Sequence, residues 1–228
     1  MQRSHQEPRT AHGQHAEPAG IPKERVAGLF DGIVAITATL LTLEFGVPVA
    51  SGELALTDLA ASGSAVLHWG VSFIMVAVIW TEFHFVFAHT RRWDGVMMTL
   101  TFCQMALISL IPFASELVGD NPGSFIATLV FTVIMGANGL MVSANNFVLQ
   151  RKEHLHSSEH SRHALYRRRR AQAQVYPLFV IVSLIAAWLH DPIVGELVWA
   201  LCPLALATHV RRDARTPPDR TPRTEVTG

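Results

Sequence analysis

The chain has 228 residues with 18 basic and 18 acidic side chains, so its formal net charge is zero, and half of its residues are apolar. The apolar residues come in long blocks separated by the charges, whereas a soluble domain distributes them along amphipathic periods. This arrangement excludes an ordinary soluble fold. It also argues against nucleic-acid binding, because membrane topology alone explains where the basic residues lie.

Two polar segments flank the apolar centre of the chain. Residues 1–22 are rich in His, Gln, Glu, Pro and Gly, and residues 211–228 are rich in Arg, Pro and Thr, so neither can bury apolar area. We predict that both are disordered cytoplasmic tails around one membrane domain, residues 23–210. We expect that domain to be all-α with six transmembrane helices, because each block approaches the about 20 residues that cross a bilayer. The blocks cover residues 26–49, 62–88, 96–117, 124–149, 175–189 and 193–207.

All Lys and Arg residues lie on one side of the predicted membrane. They precede the first span, follow the second and fourth spans, and follow the sixth. The connections after the first, third and fifth spans contain acidic residues and no Lys or Arg. Because short loops rich in Lys and Arg stay in the cytoplasm, both termini are predicted to be cytoplasmic. Cys103 and Cys202 fall inside spans three and six, so we expect free, packed thiols.

The first span carries several polar side chains. Asp31 lies about two turns from its cytoplasmic end, where a carboxylate is costly unless it meets protein or water. Helical spacing puts one stripe of side chains on a common face, formed by Gly32, Ile36, Thr39 and Leu43. A neighbouring and more polar stripe is formed by Ala35, Thr39, Thr42 and Gly46. Thr39 belongs to both stripes.

The first span also contains a run of residues at fixed spacing that begins at Arg25 and includes Asp31-Gly32. The run continues with Ala35-Ile36, Thr39-Leu40-Leu41 and Leu43-Glu44. Further matches follow in order: Trp80, His84 and Phe87 in span two, Leu110-Ile111-Pro112-Phe113 in span three, and the stretch from Arg162 to Arg168 before span five. In these features, over about residues 25–210, the chain resembles the transmembrane protein 175 family of potassium channels. It departs from the family signature at Leu29, where the signature has Phe, and at Phe30, where it has Ser.

The resemblance implies a homotetramer of six-span subunits in which span one lines a central pore. Carried over residue by residue, it assigns the apolar constriction to Ile36 and Leu43 and a hydroxyl layer that supports cation selectivity to Thr39. No segment resembles the carbonyl filter of ordinary potassium channels. The family implies potassium ions as the permeant species, a multi-pass location in the bacterial plasma membrane, no enzymatic activity, no metal and no cofactor.

A candidate structural polar network involves Arg25, Asp31, Trp80 and His84. Asp31, Trp80 and His84 are predicted to lie at similar depth in neighbouring spans, where a carboxylate, an indole N–H and an imidazole can satisfy one another. The alternative function is a proton-coupled secondary transporter in which Asp31 and His84 carry the proton. An intramembrane enzyme is disfavoured, because no second carboxylate or metal-type pair is spaced to act with either residue.

Other polar and small residues have plainer interpretations. Glu82 is expected to face the membrane interface with Arg91 or Arg92. The basic run Arg167 to Arg170 fixes topology, and it could also hold anionic lipid headgroups. Close packing of span four on its neighbours is expected at three small residues, Gly136, Gly139 and Ser143. Asparagines that could bond to neighbouring helices in span four are Asn138, Asn145 and Asn146.

A group of histidines after span four is a candidate metal site only by composition. It consists of His154, His156, His160 and His163. The spacing is irregular, no cysteine joins the group, and the surrounding stretch is strongly charged, so a solvated segment is the favoured interpretation.

Overall fold

The computed structural model describes residues 23–43, 63–152 and 159–215. Its helices, in chain order, are α1 (Lys23–Leu43), α2 (Gly63–His89), α3 (Gly95–Ser109), α4 (Ile111–Asp120), α5 (Phe125–Arg151), α6 (Glu159–Leu189), α7 (Pro192–Leu197), a short 3-10 segment (Val198–Leu201) and α8 (Cys202–Arg215). Six helical stretches are long and apolar enough to cross a membrane, which confirms the predicted six-span, all-α fold. Span three consists of α3 and α4, and span six runs from α7 into α8.

Several predicted segments fall outside this description. The tail 1–22, the connection 44–62 with Glu44 and Gly46, the segment 153–158 and the end of the chain from residue 216 are not among the described residues. α8 continues to Arg215, past the predicted domain boundary at residue 210. α6 is one continuous helix from Glu159 to Leu189, so the connection directly before span five is helical.

Side-chain caps fix where the helices begin. Asp94 accepts a hydrogen bond from the Met97 backbone N–H at 2.9 Å at the start of α3. Asp191 does the same for the Ile193 N–H at 2.8 Å, directly before Pro192 at the start of α7. These oxygens satisfy N–H groups that have no partner within the helix.

Prolines explain why spans three and six are interrupted. Pro112 has no N–H to donate to the preceding turn, so α3 ends at Ser109 and α4 begins at Ile111 with the proline in its first turn. In span six, Pro203 cannot bond to the Trp199 carbonyl four residues earlier. That carbonyl accepts instead from Cys202 in the tighter 3-10 pattern.

α5 and α6 form a closely packed antiparallel pair. A Cβ atom added at Gly136 would lie 2.7 Å from Cγ2 of Val180, and one at Gly139 would overlap the ring of Tyr176. Both positions therefore require glycine, and the prediction that small residues allow close packing here is confirmed. The Ser143 hydroxyl bonds to the Gly139 carbonyl at 2.8 Å within the helix.

The two cysteines are unbridged, as expected. Cys202 is buried in the core. Cys103 is exposed, so the expectation that both thiols are packed inside the subunit is wrong for span three. The helix bears Cys103 on its outward face, because the buried residues Thr101, Gln104 and Met105 occupy the inward one.

α1 lies at one edge of the subunit. Among the described elements it packs against α2, α3 and α4, while the α5–α6 pair lies on the other side of them. The start of α1 is held at the end of α2, where Nζ of Lys23 lies 3.5 Å from the Thr90 carbonyl oxygen and 5.0 Å from the centre of the Phe87 ring. One face of α1 therefore packs against α2, α3 and α4, and the opposite face is uncovered.

Candidate functional site

The uncovered face of α1 contains the candidate pore residues. Ile36 is 60% exposed and Leu43 is 79% exposed, and Gly32 and Thr39 are exposed beside them. Thr37, on the opposite side, is only 2% exposed. At 3.6 residues per turn, the stripe with Ile36, Thr39 and Leu43 runs along the middle of the uncovered face.

The second stripe lies at one margin of the same face. Ala35 and Thr42 are exposed, and Gly46 falls outside the described residues. Leu29 and Leu40 form the opposite margin, at 48% and 43% exposure. The fold of one subunit thus leaves both stripes uncovered and gives the central position to the stripe with Ile36.

The Thr39 hydroxyl is oriented by its own helix. It donates to the Ile36 carbonyl oxygen at 2.8 Å, and the Thr42 hydroxyl donates to the Ala38 carbonyl at 3.4 Å. A hydroxyl that donates its proton to the backbone keeps its oxygen lone pairs free to accept. The exposed Thr39 oxygen can therefore act as a ligand for a cation or as a partner for water.

Asp31, Trp80 and His84 come together between α1 and α2. The Trp80 indole N–H donates to Oδ1 of Asp31 at 2.9 Å, and Nε2 of His84 lies 3.5 Å from the same oxygen. Nδ1 of His84 is 3.0 Å from the Trp80 carbonyl oxygen, so that nitrogen carries the proton of this contact. A ring that donates from Nδ1 can also donate to Asp31 only as the imidazolium.

This polar cluster is open on one side. The side chains of His84 and Asp31 keep 33% and 46% of their surface, and Trp80 is exposed as well. Arg25, the fourth residue of the predicted network, is exposed near the start of α1 and makes no hydrogen bond or ion pair with the other three among the described residues. The geometry thus joins three of the four residues and leaves Arg25 apart.

The structure shows where the two residues that depart from the family signature lie. Phe30 is fully buried, and its ring stacks on Phe83 of α2 with centroids 3.6 Å apart and planes 6° apart. Leu29 is half-exposed on the margin of the free face. Asp31 retains the indole of Trp80 as its donor without a hydroxyl at position 30. The aromatic stack adds an apolar contact between α1 and α2 at this level.

A buried ion pair in α2 was missed by the sequence interpretation. Glu82 is 2% exposed and accepts from Arg168 of α6 at 2.6 Å from Nη2 and 2.8 Å from Nε. Gln172 donates to Glu82 at 2.6 Å and accepts from Asn146 of α5 at 2.7 Å. The expectation that Glu82 faces Arg91 or Arg92 at the interface is therefore wrong. The Arg168 guanidinium donates two parallel hydrogen bonds to the Glu82 carboxylate, which is a stronger contact than a single ion pair at the membrane interface.

Two further findings concern buried polar residues of α2, α5 and α7. His68 of α2 pairs with Glu196 of α7, and both are almost fully buried. The two residues lie 128 positions apart in different spans, so no spacing pattern within one helix could have indicated the pair. Among the asparagines of α5, Asn146 bonds to a neighbouring helix, whereas the Asn138 amide returns to the Ile134 carbonyl of its own helix. The side chains of the histidine group after span four lie outside the described residues. Within the described residues, no group of His, Cys, Asp or Glu side chains is placed to hold a metal ion.

Comparisons with known proteins assign the chain to a family. The profile described as endosomal/lysosomal potassium channel TMEM175 matches residues 25–112, which contain α1 and the Asp31 cluster. A protein of Streptomyces collinus named as a potassium channel is 30% identical over 136 residues, which cover 58% of this chain and 66% of that protein. The chain belongs to the TMEM175 family.

Two further comparisons agree with this assignment. The human endosomal/lysosomal proton channel TMEM175 is 34% identical over 106 residues, which cover 42% of this chain and 21% of the human protein. The crystal structure of a lysosomal potassium-selective channel TMEM175 homolog from Chamaesiphon minutus superposes with a TM-score of 0.67 at 22% identity, covering 82% of this chain and 97% of that one. The six-span fold of this chain is therefore that of the TMEM175 homolog.

The contact between Asp31 and Trp80 generates a first prediction. Asp31→Ala should lower the free energy of unfolding of the purified protein by about 1 kcal/mol, the value of a partly exposed hydrogen bond to a charged group. The substitution should have little effect on the ratio of potassium to sodium permeability. Asp31→Asn keeps an acceptor oxygen for the indole N–H and should recover part of the loss. Thermal unfolding in detergent measures both variants. Full stability in both, with altered pH dependence of transport, would contradict a structural role and favour a proton relay.

The Glu82–Arg168 pair generates a second prediction. Arg168→Met leaves the Glu82 carboxylate buried without its cation, and breaking a buried pair in this way costs about 3–5 kcal/mol. Arg170→Met removes the same charge from an exposed position of the same helix and should change stability by less than about 0.5 kcal/mol. The melting temperatures of the two variants in detergent give the comparison. Equal small effects would show that Arg168 does not hold Glu82.

Proposed function

We propose that this chain is a potassium-permeable cation channel of the bacterial plasma membrane, in which four copies surround a pore lined by α1. The observation that carries the proposal is the uncovered face of α1, which combines Ile36 and Leu43 with the exposed hydroxyl of Thr39. Hydroxyls and the partly exposed carboxylate of Asp31 are costly against hydrocarbon, whereas a water-filled pore hydrates them. The names of the Streptomyces and Chamaesiphon relatives agree with potassium as the permeant ion.

Rings of Ile36 and Leu43 would form the constriction. The two positions are seven residues apart, which is about 10 Å along the helix axis. Narrow apolar rings of this kind lose their water and block ion flow without any charged group. Gating would then consist of widening these rings, because a wider apolar ring admits water.

A ring of Thr39 oxygens between the two apolar rings would favour potassium. Four hydroxyls can replace part of the water shell of an ion, and their protons are already donated to the helix backbone. Potassium holds its water less strongly than sodium, so partial dehydration costs it less. This mechanism provides selectivity without a carbonyl filter and fits the position of Thr39 in the middle of the free face.

The same topology supports an orientation with both termini in the cytoplasm. The start of α1 at Lys23, the end of α2 and the start of α6 carry basic residues, as does the end of α8. Short segments rich in Lys and Arg remain on the cytoplasmic side. Asp31 therefore lies in the cytoplasmic third of the pathway, and Leu43 lies toward the outside.

A proton-coupled transporter is the second candidate, and the contact between His84 and Asp31 favours it. The two side chains are 3.5 Å apart and partly exposed, so a proton can reach them from water. Flux in proteoliposomes separates the two functions. A channel gives potassium flux driven by an imposed potential alone, whereas a transporter requires the proton gradient with fixed stoichiometry. Flux that stops when only the proton gradient is removed would contradict the channel.

The constriction generates a third prediction. Ile36→Asn places an amide in the proposed apolar ring, so water should enter and potassium conductance should rise severalfold. Leu40→Asn introduces the same amide at the margin of the free face and should have a much smaller effect. Single-channel recording in planar bilayers measures both. Wild-type conductance in Ile36→Asn, or a larger increase in Leu40→Asn, would mean that the central stripe is not the pore wall.

The hydroxyl layer generates a fourth prediction. Thr39→Val keeps nearly the same volume and removes the oxygen from each subunit, so the permeability ratio of potassium to sodium should fall. A loss of about 1.4 kcal/mol changes this ratio about tenfold. The reversal potential under bi-ionic conditions reports the ratio.

Thr37→Val is the matched control, because Thr37 is buried on the opposite side of α1 and should leave the reversal potential unchanged. If Thr37→Val abolishes selectivity and Thr39→Val does not, the helix is rotated relative to this assignment. If Thr42→Val matters as much as Thr39→Val while Ile36→Asn has no effect, the stripe with Ala35 and Thr42 is the pore wall.

A further inference from the structure

An apolar groove of about 460 Å³ runs between α5 and α6. Its walls include Gly136, Leu140 and Ser143 of α5 and Tyr176, Pro177 and Val180 of α6. The Ser143 hydroxyl is already bonded to the Gly139 carbonyl, whereas the Tyr176 hydroxyl is buried without a hydrogen-bond partner among the described residues. α1 packs on α2, α3 and α4, so the groove lies on the side of the subunit away from α1.

The length of the groove matches one leaflet of a bilayer. Along α6 it extends from Gln172 to Ile181, and Arg169 lies three residues before Gln172. The distance from Arg169 to Ile181 is about 18 Å along the helix, and half of the hydrocarbon core is about 15 Å thick. A single acyl chain of the inner leaflet can therefore fill the groove from its basic end to the middle of the membrane.

Two guanidinium groups lie at the cytoplasmic end of the groove. Phe147 continues the α5 wall one turn beyond Ser143, and the Cζ atoms of Arg151 and Arg169 lie 5.0 Å and 5.1 Å from the centre of its ring. Arg169 also donates to Oε1 of Gln150 at 2.9 Å. These contacts hold the Arg169 side chain against α5, one turn before Ala173 on α6.

These two arginines differ from Arg168 and Lys152 in their charge balance. Arg168 is paired with Glu82, and Lys152 is paired with Asp94. In the part of the chain that the structure describes, Arg151 and Arg169 have aromatic and amide contacts but no carboxylate partner. Two uncompensated cations at the end of an apolar groove select an anion that carries an apolar chain.

We propose that the α5–α6 groove binds one anionic glycerophospholipid of the cytoplasmic leaflet. The phosphate lies between Arg151 and Arg169, and one acyl chain lies along Tyr176, Pro177 and Val180. Pro177 lies inside α6 and has no N–H to donate to the Ala173 carbonyl, so its ring presents an apolar surface to the groove without a backbone donor. The bound lipid couples the composition of the inner leaflet to the packing of spans four and five.

Native mass spectrometry of the full chain tests this binding. The protein is extracted from vesicles of phosphatidylglycerol and phosphatidylcholine with matched acyl chains, and phosphatidylglycerol should be retained preferentially. Arg169→Gln should reduce that retention by about fivefold, the factor that corresponds to one basic residue near an anionic surface. Arg170→Gln removes the same charge from the neighbouring exposed position and should leave the retention unchanged.

The groove itself is tested by filling it. Ala173→Trp occupies the cytoplasmic part of the groove and keeps both guanidinium groups, so phosphatidylglycerol should be lost. Ala173→Leu provides a smaller filling residue, and the melting temperatures of both variants report whether they fold. Glycerol 3-phosphate carries the headgroup charge without acyl chains and should not displace the lipid.

Four results would overturn the proposal. They are equal retention of the two lipids, equal losses in Arg169→Gln and Arg170→Gln, unchanged retention in both Ala173 variants, and displacement by glycerol 3-phosphate. Dissociation of an oligomer in Ala173→Trp without loss of lipid would instead assign the groove to a second copy of the chain. None of these measurements involves transport, so they can fail while the pore assignment stands.

Discussion

Hydrocarbon offers no hydrogen bonds, and this constraint decides where the polar side chains of the spans lie. Glu82 meets Arg168, His68 meets Glu196, and the Thr132 hydroxyl bonds to Ser183 at 2.8 Å. The first two pairs join spans that are distant in sequence, and the third joins the consecutive spans four and five. The polar groups therefore determine which helices lie side by side, while the apolar residues fill the space between them.

Helix α2 makes polar contacts with α1 and with α6. On one side, Trp80 and His84 hold Asp31 of α1, and on another side Glu82 holds Arg168 of α6. Phe83 lies between them in sequence and stacks on Phe30. A displacement of α6 would therefore reach α1 through a single helix. This arrangement makes α2 the element that sets the position of α1, whose uncovered face is the proposed pore wall.

The sequence was sufficient for the number, order and approximate ends of the spans, because each is a separate apolar block with charges at its limits. Pro112 and the small residues Gly136 and Gly139 act through their own backbone, so their local effects follow from residue type. The Glu82–Arg168 and His68–Glu196 pairs could not be predicted in the same way. Such pairs depend on the rotation and depth of two helices from distant parts of the chain, which no spacing within one helix encodes.

The same limit applies to the candidate site. Spacing along α1 defined two stripes and could not choose between them, because the choice depends on which side packs against α2, α3 and α4. The fold buries Thr37 and Phe30 and leaves Ile36, Thr39 and Leu43 uncovered. Arg25 was grouped with Asp31 by its position in the motif, yet it lies about 9 Å away along the helix axis and on the free face.

The most direct measurement is block of potassium flux by a water-soluble thiol reagent in proteoliposomes. The exposed Cys103 is first replaced by Ser, and a single cysteine is then placed at position 39 or at position 37 of α1. If the uncovered face of α1 lines the ion pathway, the reagent blocks flux through Thr39→Cys and leaves Thr37→Cys unaffected. Block of Thr37→Cys alone, or modification of Thr39→Cys only by a lipid-soluble reagent, would contradict the account.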